Sequence, residues 1–165
     1  MTKQYNFHNF FLLQKELDSE IASTHKVSYE TTFNKRVLAL LVELGEFANE
    51  TRAFKYWSFK APSPKEIILD EYADALHFFL SLGLAIGIED FSYSLSDKKD
   101  DLSNHILEVY EEVITFNNKR DKDSYFKAFS SFLSLLPSLG YDFKDMEEAY
   151  NKKMAINHQR VENHY

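Results

Sequence analysis

Apolar residues recur at helical spacing along most of the chain. Phe7, Phe10, Phe11, Leu13, Leu17 and Ile21, with polar positions between, predict a helix over 5–21. A polar stretch follows at 22–30, and a second helix is expected over about 32–53. Its residues 37–42, "VLALLV", are all apolar, so that half should be buried nearly all round. The loop "KYWSFKAPS" carries the only tryptophan. In "SPKE", Ser63 can N-cap a third helix, with Pro64 at its first position and Glu66 completing a capping box. That helix should run to about residue 86, near Gly87. Beyond the polar loop "EDFSYSLSDKKDD", helices are expected at about 102–117, 123–136 and 143–158. Asp142 would cap the last, after a break at Pro137 and Gly140. No segment reads as a good strand, and there is no internal repeat or low-complexity tract. The expectation is an all-α helical bundle forming a single domain over 1–165.

Composition narrows the picture. Four glycines and three prolines leave little material for the turns of a β-sandwich or barrel. With 44% apolar residues the chain is too hydrophobic to be disordered. Cysteine is absent, which excludes disulfides, thiolate metal sites and cysteine nucleophiles. No apolar run approaches the roughly 18–20 residues of a membrane span, and no signal-like leader is visible, so a cytoplasmic protein with no membrane partner is expected. A net charge of −7 argues against a nucleic-acid surface, although an acidic protein can bind phosphates through metal ions.

The candidate chemistry lies on the second and third helices. Glu43, Glu46 and Glu50 fall at i, i+3 and i+7, on the face begun by Ala39 and directly after the apolar run. On the third helix, Glu71 and Asp74 interrupt a stripe otherwise made of Ile67, Phe78 and Leu82. A lone ExxE is most often a solvated face. Two acid pairs, each beside strongly apolar surface, must instead be protonated, paired or metal-bound. Four converging carboxylates form a hard-oxygen set suited to Mg²⁺, with Mn²⁺ as a substitute.

Glu43-x-x-Glu46, then 24 residues, then Glu71-x-x-Asp74 resembles the metal motif of the all-α nucleoside triphosphate pyrophosphohydrolases, which include MazG-like enzymes and the dimeric dUTPases. "LQKELDSEI" at 13–21, "ELGEFANETRAFKYWS" at 43–58, "DEYADALHFFLSLG" at 70–83 and the terminal "KMAINHQRVENHY" resemble the dimeric dUTPase branch in particular. His164 stands where that branch commonly has Gly.

The resemblance implies a homodimeric enzyme hydrolysing dUTP, and dUDP, to dUMP, with pyrophosphate released from dUTP. It makes Glu43, Glu46, Glu71 and Asp74 the magnesium ligands, with Glu46 orienting or deprotonating the attacking water and Glu50 supporting from behind. It places Lys153, Asn157, Arg160 and Tyr165 on the phosphates, in a tail over about 151–165 whose basic stretch 151–161 has no acid. A basic helix end favouring the dipole is the alternative for that tail. The resemblance also puts Gln14 on the uracil edge, where an amide can donate and accept at once, with Asp18 a neighbour one turn on. Trp57 and Phe78 would wall the base and sugar, and Lys55 would reach phosphate. Core packing is the alternative for Phe78. His77 is expected to be a buried helical residue satisfied locally. The apolar "ALHFFLSLGLAIGI" is read as the dimer interface. A bacterial or phage-encoded protein in a bacterial host would suit this branch.

Three rival readings differ in class. Another pyrophosphohydrolase, acting on dCTP for example, would keep the same acids and differ only in the base pocket. A di-iron bundle would need a second ExxH copy beyond Asp74-x-x-His77, and none exists. A non-catalytic helical interaction module would have no use for four intact acids.

Overall fold

A computed structural model describes residues 3–94 and 101–164. In chain order these form β1 (Gln4–Asn6), α1 (His8–His25), α2 (Tyr29–Thr51), α3 (Lys65–Ala85), β2 (Ser92–Ser94), α4 (Leu102–Lys119), α5 (Lys122–Leu133), α6 (Leu135–Leu139) and α7 (Phe143–Glu162). The fold is all-α apart from a small antiparallel clasp, in which Gln4, Tyr5 and Asn6 pair with Ser94, Tyr93 and Ser92. The clasp continues through the Phe7 N–H, which donates to the Phe91 carbonyl at 2.8 Å. It replaces the expected first turn of helix. Three residues per strand are too few to give an alternating pattern that stands out from a helical one.

Helix boundaries follow local chemistry. Ser28 and Thr31 form a capping box, so α2 starts at Tyr29, three residues earlier than expected. Asp142 and Asp145 form a second box at the start of α7. Asp101 and Asp121 cap α4 and α5. Ser63 does not cap α3: Pro64 occupies the cap position, while the Ser63 hydroxyl donates to the Glu50 carboxylate. Pro137 does not break the chain either. It sits in the first turn of α6, where its missing N–H has no intrahelical partner to lose, and Gly140 ends that helix at φ +76°.

α3 is the central rod, packed against α2, α1 and α7. Nearly every residue from Ala75 to Leu84 is buried, Phe78 being the half-buried exception. Tyr72 and Phe132 stack with ring centroids 4.2 Å apart, and Phe79 stacks on both Phe129 and Phe132. Gly83 permits a close crossing. A Cβ there would lie 2.5 Å from the Tyr125 hydroxyl, which donates to the Phe79 carbonyl.

Two expectations about apolar surface are corrected. The stretch 37–42 is not enclosed all round: Val37 and Leu40 are buried, but Leu38 is 63% and Val42 51% exposed. Conversely, the apolar end of α3 leaves no surplus for a partner, because α1, α2, α5 and α7 of the same chain cover it. Among the described residues no helix is long and apolar enough to cross a membrane.

Candidate active site

A cleft of about 440 Å³ opens between α1, α2, α3 and α7. Its walls follow from helical phase. On α3, Asp74, His77, Phe78 and Ser81 fall at i, i+3, i+4 and i+7, and all four line it. On α2, Arg36, Ala39 and Glu43 repeat the same spacing, and α7 contributes Asn157 and Arg160. Gln14 and Asp18 close the end formed by α1.

The acidic end gathers Glu43, Glu46 and Glu71, which offer carboxylate oxygens all within 4.8 Å of one another. One Glu43 oxygen, Oε2, is buried with no hydrogen-bond partner. Such proximity is unfavourable without a cation. Burial first, then the charges of Asp74 and Glu46, raise the Glu43 carboxyl to about 7. Burial and the charges of Glu46 and Asp74 likewise raise Glu71 to about 7. An orphaned oxygen among mutually repelling hard donors fits a divalent cation such as Mg²⁺.

Asp74 stands beside this cluster but turns to α7. Lys153 Nζ bridges Asp74 at 3.1 Å and Asp70 at 2.9 Å, with its own side chain only 7% exposed. Burial raises the Asp74 pKa, and Lys153 opposes the shift without cancelling it. Lys153 is pulled down by burial, but its bonds to Asp70 and Asp74 outweigh this and raise its pKa. The predicted phosphate-binding lysine therefore rests on two carboxylates, one of them a predicted metal ligand.

The other end is a closed polar network. Asp18 is buried and accepts from Gln14 Nε2 at 2.9 Å, the Tyr29 hydroxyl at 2.9 Å and the Ser81 hydroxyl at 2.8 Å. Arg36 lies 3.6 Å from the same carboxylate and also donates to Ser81. The Gln14 oxygen faces His77 Nδ1 at 2.6 Å and the Tyr150 hydroxyl at 3.2 Å. His77 stacks on Tyr150 with centroids 4.5 Å apart. It is not satisfied locally, since its partner lies on α1 and its Nε2 is buried without one. Burial first, then the positive charges of Lys153 and His158, lower its pKa to about 3, so the ring is neutral.

The remaining predicted residues are placed as follows. Phe78 is half-buried on the cleft wall. Glu50 is on the acidic face of α2, but its carboxylate holds Ser63 and so ties down the α2–α3 loop. Lys55 and Trp57 lie in that loop away from the cleft, with Trp57 62% exposed and packed edge-on against Phe54 and Tyr56. Tyr165 lies outside the described residues. The sequence reading missed Asp70, Arg36, Ser81 and Tyr150 as members of the site. The signal was present for all four, since Asp70 and Ser81 extend the Asp74 face, Arg36 the Glu43 face and Tyr150 the Lys153 face at helical spacing.

Acids at one end of a helical cleft and a clamped amide at the other make this an all-α protein with a site for a charged ligand with a polar head. A family model described as dUTPase matches residues 6–165, and the chain belongs to that dUTPase family. It is a dUTP diphosphatase, and dUTP hydrolysis is its activity. Comparison with curated proteins yields no match.

Proposed function

We propose that the protein hydrolyses dUTP, and dUDP, to dUMP, releasing pyrophosphate from dUTP, with Mg²⁺ held by Glu43, Glu46, Glu71 and Asp74. The observation that carries this is the carboxylate trio with its orphaned Glu43 oxygen, of which Glu43 lines the cleft together with Asp74. When bound, the cation supplies charge neutralisation for the phosphates and lowers the pKa of a water. Glu46 is the exposed member of the trio and takes the proton from the attacking water. Its neighbours Glu43 and Glu71 hold it in register through the i, i+3 spacing on α2 and the packing of α3 against α2.

Arg160 and Asn157 on the cleft wall receive the phosphates, Arg160 through its planar fork. Lys153 sits one turn before Asn157 and donates to phosphate from the Asp74 side. Gln14 reads the uracil, Phe78 packs on the sugar, and Trp57 with Lys55 closes from the α2–α3 loop. Tyr165 completes the tail. The exposed Leu38 and Val42 on α2, and Leu107 and Ile114 on the adjoining α4, supply the apolar face of a homodimer.

Turnover of dUTP, dUDP, dCTP, dTTP and UTP with and without Mg²⁺ tests the reading. The expected result is Mg²⁺-dependent release of dUMP and pyrophosphate from dUTP. Metal-independent turnover, or dCTP hydrolysed as fast as dUTP, would overturn it. Sedimentation at micromolar concentration tests the dimer.

A further inference from the structure

Gln14 is held from both sides, and the chemistry of its holders fixes which way its amide points. The Asp18 carboxylate has Arg36 3.6 Å away as its counter-charge and accepts from the Tyr29 and Ser81 hydroxyls. The Gln14 atom facing it at 2.9 Å must therefore be the nitrogen. The oxygen is left facing His77 Nδ1 at 2.6 Å and the Tyr150 hydroxyl at 3.2 Å. A carbonyl oxygen cannot donate, so Nδ1 carries the ring proton, and Nε2 holds the lone pair that has no partner. His77 Nδ1–H thus engages the Gln14 oxygen, the Tyr150 hydroxyl reaches that oxygen too while also facing the Phe10 carbonyl at 3.3 Å, and one of the two Gln14 N–H groups is spent on Asp18. A single N–H remains for the cleft.

We propose that His77 and Tyr150 are specificity-positioning residues that lock Gln14 as a donor-only group facing the C4 edge of the base, selecting a pyrimidine with a carbonyl at C4 over one with an amino group there. This rests on Gln14 being the base reader, and it replaces an amide that donates and accepts at once. The remaining N–H pairs with a uracil carbonyl. Against the amino group of cytosine it sets donor against donor. Relief would require the amide to flip, which would place its oxygen against the Asp18 carboxylate and its N–H groups against the Nδ1–H of His77. The flip is blocked on both sides at once, so rejection of cytosine is built into the free protein rather than induced by the ligand.

The test is the ratio of kcat/KM for dUTP to that for dCTP in the wild type, His77→Leu, His77→Asn and Tyr150→Phe. His77→Leu should lower the ratio at least about tenfold, since an unpaired amide oxygen can turn toward the substrate. His77→Asn restores a donor close to the Nδ1 position and should recover most of the ratio, which a merely structural role for the ring would not produce. Tyr150→Phe keeps the ring packed and should lower the ratio less; it serves alone if the leucine variant does not fold. A wild type that does not discriminate overturns the base-reading role itself. A wild type that discriminates, with folded His77→Leu and Tyr150→Phe retaining the full ratio, overturns the clamp alone. Long-range ¹⁵N–¹H correlation on the free protein should show His77 as the Nδ1–H tautomer, and an Nε2–H tautomer would also overturn it.

Discussion

The two ends of the cleft solve opposite problems with similar residues. At the α1 end, the buried Asp18 meets three donors with Arg36 close by, so this carboxylate is satisfied before any ligand arrives. At the α2–α3 end, Glu43, Glu46 and Glu71 face one another, and one buried oxygen has no donor at all. Burial of a carboxylate is thus not diagnostic by itself. What distinguishes a positioning acid from a cation-binding one is whether the protein has already supplied its counter-charge and hydrogen bonds.

This contrast can be broken from either end. The largest effect is expected from Glu46→Gln, which removes the proposed proton acceptor while keeping the shape. Turnover of dUTP should fall about 100- to 10,000-fold with the fold intact by circular dichroism; near-full Mg²⁺-dependent activity would remove Glu46 from its role. Asp18→Ala should instead cost stability, because Gln14, Tyr29 and Ser81 each lose their acceptor. A loss of about 1–3 kcal/mol in urea unfolding is expected, together with a higher KM for dUTP.

The acidic end should show the reverse dependence on charge. Glu43 and Glu71 hold their protons more tightly in the folded chain, at about 7, than when unfolded, at the ordinary glutamate value of 4.5. Between those values the native state binds more protons than the unfolded one, so metal-free stability falls as pH rises. Melting of the metal-free protein at pH 5.5 and pH 8 should show the lower Tm at pH 8. Mg²⁺ should raise Tm more at pH 8 than at pH 5.5, since the cation competes with those protons. The smallest effect on stability is expected from Glu71→Gln, which relieves repulsion. Solvent screening limits the gain, and a Tm rise of about 2–4 °C at pH 8 without metal is expected, together with loss of hydrolysis. A lower Tm would mean that Glu71 is a stabilising member of the fold.

Much of this architecture could be read from residue order. Helical phase alone put Glu43 and Glu46 on one face and Glu71 and Asp74 on another, and the structure brings Glu43, Glu46 and Glu71 together. It could not show that Asp74 would turn to Lys153, because that pairing spans 79 residues and depends on how α7 crosses α3. The His77–Gln14 contact, 63 residues apart, was hidden for the same reason. Leu38 and Val42 were misread because an apolar run reveals hydrophobicity on all faces without saying which of them a neighbouring helix covers. The clasp between residues 4–6 and 92–94 was too short to carry a period of its own.

α3 carries Glu71 and Asp74 near one end of the cleft and His77 and Ser81 at the other, without a loop between them. Ten residues of continuous helix from Glu71 to Ser81 span about 15 Å, on the scale of an extended nucleoside polyphosphate. In the proposed binding mode the helix acts as a gauge, fixing how far the scissile phosphate lies from the base by backbone rise rather than by side-chain reach. One alanine inserted after Asp74 would advance the far half by about 1.5 Å and turn it by about 100°. The two halves of the cleft would then each survive, but no single nucleotide could engage both.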